Sequence, residues 1–180
     1  MGNDVSDEAV DRRGKTAGKP IAQDQIPRGN VTFAMMALLL IAIPLSLQNG
    51  RVAALALLAT VIVGAVHNKW LHRGAFSWVG WTATFAILPA FLAYGGWAGG
   101  MHGAAPTIGF TAASAALGFC LHFLTTLPDL VQDHAAGVRN LPLRVALKTG
   151  APRLLVITGV ATALALAGLV AAGLTVGLRQ

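Results

Sequence analysis

The chain has 180 residues, of which 55% are hydrophobic and only 11% charged, with a mean hydropathy of +0.65 and a formal net charge of +6 at pH 7. These values lie outside the range of soluble domains and make lipid the solvent for most of the protein. One cysteine, Cys120, excludes an internal disulfide and a multi-cysteine metal site, and reads as a small buried apolar residue.

The first segment, residues 1–30, is polar and begins "GNDVSDEAVDRRGKTAGKP" after Met1. On a helix, Asp4, Asp7 and Asp11 fall within roughly 60° of one another, an acidic stripe with Asn3 beside it. An apolar stretch follows from Val31 to Leu47, then a tight turn at Asn49 to Arg51, then a second stretch from Val52 to Val66. The second is short for a bilayer and is expected to borrow His67 to Trp70. Beyond the polar "HNKWLHRG" come Phe76 to Trp97, a Gly-rich link from Gly95 to Pro106, and Thr107 to Leu127. The polar "PDLVQDHAAGVRNLP" then separates this fourth stretch from the last, Leu154 to Leu178. All five read as transmembrane helices, because the runs are continuously apolar where barrel strands would alternate, and a helix pairs its own backbone in lipid. The expected fold is all-α, a polytopic membrane bundle of about five helices.

Residues 1–30, 67–75 and 128–153 hold eleven of the thirteen Lys and Arg, with only Arg51 and Arg179 elsewhere, and also hold all seven acids. Five spans place these three segments on one side, which the positive-inside rule makes cytoplasmic. The N-terminus is therefore expected inside, and the expected location is a cell membrane, the bacterial inner membrane. That orientation already accounts for the basic balance, and a basic membrane face meets anionic lipid rather than nucleic acid.

Trp70, Trp78 and Trp81 near one boundary, with Tyr94 and Trp97 near the other, read as interfacial, lipid-facing residues. Gly159 with Ala163, and Gly168 with Ala172, would permit close helix packing. The histidines His67, His72, His102, His122 and His134 are scattered without a recurring ligand spacing, which disfavours haem or zinc.

The acids carry the chemistry. Asp129 and Asp133 repeat the N-terminal device at i and i+4 on one helical face. Carboxylates so placed repel unless a cation joins them, and Mg²⁺ binds through one or two carboxylates while water and phosphate fill its other positions. Bases lie just beyond each cluster: Arg12, Arg13 and Lys19 after the first, Arg139, Arg144 and Lys148 after the second. Two clusters with adjoining bases point to a metal-diphosphate site.

These residues resemble a known family. "NDVSDEAVD" fits the Asn-Asp-x-x-Asp-x-x-x-Asp signature of the UbiA superfamily of intramembrane prenyltransferases, and "DLVQD" fits its second Asp-rich motif. "GVRNLP" is similar to the Gly-x-Arg-x-Leu-Pro continuation, "GKPIAQDQIP" to the Lys-Pro stretch after the first motif, and "HNKWLHRG" to the short middle loop. The middle loop departs in having His72-Arg73 where the family commonly carries Lys-Arg. The resemblance implies a helix bundle around a cavity, with Mg²⁺ bridging the aspartates to the diphosphate of a polyprenyl donor. It implies transfer of the prenyl group to a small, often aromatic or lipophilic, acceptor. By similarity, Asp4, Asp7, Asp11, Asp129 and Asp133 are metal ligands, with Asp4, Asp7, Asp129 and Asp133 catalytic. Asn3, Lys19, Arg73, Arg139 and Lys148 are diphosphate-binding.

The family typically has about nine helices, so residues 1–180 are expected to be one domain lacking N-terminal and C-terminal helices, with the Asp-rich segments at 1–30 and 128–153. A non-catalytic isoprenoid-binding or scaffold membrane protein is the alternative. A transporter is disfavoured because no acid lies within a span, and the CDP-alcohol phosphotransferases because their longer Asp-Gly and Ala-Arg motif is absent.

Overall fold

A computed structural model of the chain describes Val5, Glu8, Arg12 and residues 20–96 and 103–176, with side chains through Thr175. Among the described residues the structure is helical, without a strand. The helices are α1 (Arg28–Gln48), α2 (Arg51–Val66), α3 (Ser77–Ala93), α4 (Ile108–Thr126), α5 (Leu130–Ala135), α6 (Leu141–Thr149) and α7 (Ala151–Val176). A π-helical turn, His67–Leu71, prolongs α2, and a 3-10 turn, Leu127–Asp129, joins α4 to α5.

Four of these are long and apolar enough to cross a membrane: Arg28–Gln48, Arg51–Leu71, Ile108–Ala135 and Ala151–Thr175. The second stretch, expected to need extension, obtains it from the π turn. The short one is α3, at 17 residues. It stops at Ala93 because the chain turns through Tyr94 and Gly95 into Gly96, whose φ of 75° favours glycine. Asn49 accepts the Gly96 N–H at 3.1 Å, which binds this exit to the α1–α2 turn, where Gly50 has φ 115°.

The main packing runs α2 against α3, α3 against α4, and α4 against α7, with α1 on the outside of α2. Two glycines permit the close approaches. A Cβ at Gly80 would lie 2.5 Å from the ring of His67, and one at Gly118 would lie 2.6 Å from Phe85 Cβ and from the Trp81 carbonyl oxygen. The expectation for the last span is only partly met. A Cβ at Gly168 would lie 4.0 Å from Ala113 Cβ of α4, whereas one at Gly159 would meet nothing within 4 Å. Outward faces of α1 and α7 are apolar, with Phe33 76% and Leu164 68% exposed.

The aromatic residues divide. Trp70 is exposed, with Lys69 Nζ 4.8 Å from its ring centre. Trp78 instead packs edge-on against Phe119 at 5.7 Å, and Trp81 stacks on Phe85 at 6.4 Å. These two face the bundle rather than lipid, because α3 is enclosed by α2 and α4 on successive sides. Cys120 is free and buried, as its residue type implies. Trp97 and His102 lie outside the described residues.

A hydrophobic core closes the end of the bundle that carries Asp129. Phe123, Leu130, Leu143, Ala146 and Leu154 are buried together, with Phe119, Leu127, Leu141 and Val145 packed on them. Here α6 buries Pro142, Leu143 and Ala146 and leaves Arg144, Leu147 and Lys148 outside, an amphipathic helix lying on α4 and α7 rather than a span. Each large side chain so buried contributes about 1.5–3 kcal/mol relative to exposure in water. This core holds the second acidic segment in place.

Candidate functional site

The second acidic segment is a folded-back loop. Pro128 sits in the 3-10 turn that carries the chain from α4 through Asp129, which is exposed, into α5. Helix α5 ends after one and a half turns in a Schellman closure. The Val138 N–H donates to the Asp133 carbonyl at 2.9 Å and the Gly137 N–H to the His134 carbonyl at 3.2 Å, with Gly137 at φ 71°. The glycine of "GVRNLP" thus has a backbone reason. Its left-handed conformation turns the chain back, so that Arg139 and Asn140 return beside Asp133.

Three hydrogen bonds seat the returning strand of chain. The Arg139 N–H donates to the Arg73 carbonyl at 3.1 Å, the Leu141 N–H donates to Ser77 Oγ at 3.2 Å, and Asn140 Nδ2 donates to Asp133 Oδ2 at 2.6 Å. The middle loop and the second acidic segment, separated by more than fifty residues of chain, therefore meet. Arg73 and Arg139, both exposed, stand on adjacent backbone, and Arg144 Nε donates to the Arg139 carbonyl at 3.1 Å. In the middle loop Arg73 Nε donates to His72 Nε2 at 3.0 Å. Lys148 is exposed in the last turn of α6, about 10 Å along the helix from its start. It is not brought to this junction.

Asn3, Asp4, Asp7, Asp11 and Lys19 lie outside the described residues. Arg12 is described, and it does not stand ready for phosphate. Its Nη1 and Nη2 donate to the two Asp24 oxygens at 3.0 and 2.6 Å, and its Nε donates to Glu8 at 3.1 Å. These partners, Asp24 first, hold the guanidinium pKa further above its usual value. Glu8 also pairs with Arg28 Nη1 at 3.4 Å. Arg12 therefore joins the first segment to the turn ahead of α1, a structural use that its place after the acidic stripe did not reveal.

Several residues at this end were not singled out by the sequence. Asn140 is 4% exposed, and Ser77 is completely buried. The histidines are less scattered than their spacing implies. His67 lies 6.4 Å from His72 and 6.3 Å from His122, ring centre to ring centre, and His122 Nε2 lies 2.9 Å from Ser77 Oγ. Two imidazoles on one tetrahedral ion would have centres about 5 Å apart, so the rings pack on each other rather than converge on a shared ion. The one sequence signal available was at Asn140, where Asn followed by Leu-Pro is a helix-start pattern.

Among the described residues no group of three or more His, Cys, Asp or Glu side chains could hold a metal ion. Asp129, at the end of the 3-10 turn, and Asp133, in α5, are two carboxylates four residues apart, hard oxygen donors. This fits a cation that takes one or two carboxylates and completes its shell with water and phosphate. Arg73 and Arg139 add two exposed guanidinium groups at the same loop junction.

A family model described as the UbiA prenyltransferase family matches residues 1–179. No curated protein and no solved structure matches the chain.

Proposed function

Because the chain belongs to the UbiA prenyltransferase family, we propose that it carries out Mg²⁺-dependent transfer of a polyprenyl group from an isoprenoid diphosphate to a small, aromatic or lipophilic acceptor within the membrane. The observation that carries the reading is the Arg139 to Arg73 backbone bond. It joins the middle loop to the second acidic segment, so carboxylates and guanidinium groups from two parts of the chain share one end of the bundle.

Asp129 and Asp133 hold the cation in this reading, and Asp4, Asp7 and Asp11, with Asn3, complete the set by the sequence motif. Bound Mg²⁺ would neutralise charge on the diphosphate as it leaves. Arg73 and Arg139 donate to phosphate oxygens and stabilise the negative charge that develops on them, with Lys19 from the first segment and Lys148 as an outlying member. Departure of diphosphate breaks the allylic C–O bond and leaves a carbocation. The apolar helices receive the prenyl chain and keep water from that cation until the acceptor attacks it. In this reading the acid-bearing end faces the cytoplasm, on the distribution of Lys and Arg.

The test is equilibrium binding of farnesyl thiolodiphosphate, whose bridging sulfur resists ionisation, to the detergent-purified chain with and without Mg²⁺. Binding that needs both Mg²⁺ and Asp129 is the expected result. Binding indifferent to Mg²⁺, or unchanged in Asp129→Asn, would sink the site assignment.

A further inference from the structure

Resting on the reading that Asp133 belongs to a cation-diphosphate site, we propose that Asn140 is a positioning residue for the reaction, its amide holding the Asp133 carboxylate in place for the cation. Nothing in the acidic motifs themselves points to this residue.

The orientation of the Asn140 amide follows from its partners. A backbone N–H only donates, so the atom facing the Leu143 N–H at 2.9 Å is Oδ1. The atom facing Asp133 Oδ2 at 2.6 Å is then Nδ2, a donor to an acceptor. One side chain thus caps α6 and grips a carboxylate seven residues earlier. Rotating the amide to release Asp133 would set Nδ2 against an N–H and lose the cap as well.

The backbone on either side of Asn140 is also fixed. The preceding residue, Arg139, donates its N–H to Arg73, and the following one, Leu141, donates its N–H to buried Ser77. Asn140 itself is buried at 4% exposure, and Pro142 stiffens the first turn of α6. The side chain that holds Asp133 is therefore part of the core rather than of the loop. A carboxylate held by an outer partner gives up less freedom when a cation arrives, and loss of such partners typically lowers metal affinity about 10- to 100-fold.

A capping role alone is the competing explanation, and substitutions separate the two. Asn140→Ser and Asn140→Thr keep an oxygen that can accept the Leu143 N–H, but remove the amide donor to Asp133. The experiment is a Mg²⁺ titration of farnesyl thiolodiphosphate binding to the full chain, alongside melting temperature measured without Mg²⁺. Both variants should melt near the parent chain and raise the Mg²⁺ midpoint about tenfold. In an Asp133→Asn background, adding Asn140→Ser should shift the midpoint no further, because the two act through one carboxylate.

An unchanged midpoint in Asn140→Ser and Asn140→Thr, with binding lost in Asp129→Asn, would overturn the proposal and leave the site reading standing. If Asp129→Asn binds as the parent does, the site reading itself fails and the proposal with it. Asn140→Ala, which loses both the cap and the amide donor, is measured beside them, and should both cap-retaining variants melt as low as it does, the residue serves the fold alone and the proposal also falls.

Discussion

Ser77 Oγ lies 2.9 Å from His122 Nε2, joining the first turn of α3 to the last turns of α4 in the buried part of the bundle. The same oxygen accepts the Leu141 N–H, so one hydroxyl fastens three helices, α3, α4 and the start of α6. Ser77→Ala would leave a buried imidazole nitrogen and a backbone N–H without this partner. The expected cost is about 1–3 kcal/mol of stability, seen as a lower melting temperature in detergent micelles. A variant that melts with the parent would show that the hydroxyl contributes nothing.

Gly137 turns the chain at φ 71°. An L side chain there costs about 1–2 kcal/mol, so Gly137→Ala should lower stability by that amount, and Gly137→Asn by less, since Asn tolerates this conformation. Because the turn is what returns Arg139 to Arg73, Gly137→Val should also weaken binding of farnesyl thiolodiphosphate. Calorimetric melting and binding on the same samples check both halves.

Helix packing gives a paired prediction. Gly118→Ala places a methyl 2.6 Å from Phe85 Cβ and the Trp81 carbonyl, where backbone has to move. A loss of about 1–3 kcal/mol is expected, as for other overpacked sites. Gly159→Ala meets nothing within 4 Å and gains helix propensity, so its melting temperature should equal or exceed that of the parent. Equal melting of the two variants would count against the α3–α4 contact.

The two arginines at the junction should separate from Lys148 in their effect on diphosphate. Arg73→Gln and Arg139→Gln each remove a charge-assisted donor and should weaken analogue binding about 10- to 100-fold. The bond between these residues is backbone to backbone, so the loops should stay joined in both variants. Lys148→Gln, far along α6, should bind within about threefold of the parent, as for a charge without a fixed partner. Titration of the analogue at saturating Mg²⁺ distinguishes these outcomes, and a large Lys148 effect would place the diphosphate elsewhere on this face.

Arg12 shows where reading the chain as a line goes astray. Its position places it among the bases that adjoin an acidic stripe, and Asp24, on a turn twelve residues later, takes both its Nη atoms. The histidines err in the opposite direction. Their spacing looks arbitrary, yet His67, His72 and His122 gather at the α2–α3–α4 junction. In both cases the deciding partner lies on another element. For Asp4, Asp7, Asp11, Asn3 and Lys19, the motif alone supports their assignment.

The sequence by itself determined the long apolar helices, but not α5 or α6, nor that α3 stops at Ala93. Continuous apolar runs can satisfy their backbone in lipid only as helices, and the turn at Asn49 to Arg51 and the Gly-rich link from Gly95 mark where runs break. It also determined that all the acids lie on two polar segments, residues 1–30 and 128–153, and that residues 67–75 form a third, basic one. Tertiary structure alone decided which of these segments touch. Contact between Arg73 and Arg139, or between Asn140 and Asp133, depends on how each helix is rotated and how closely its neighbours approach. Hydropathy is a local sum that carries no such information. The rotation is set by small residues such as Gly80 and Gly118, where the absence of a side chain lets two helices meet, and by the core under α6 that seats the second acidic segment.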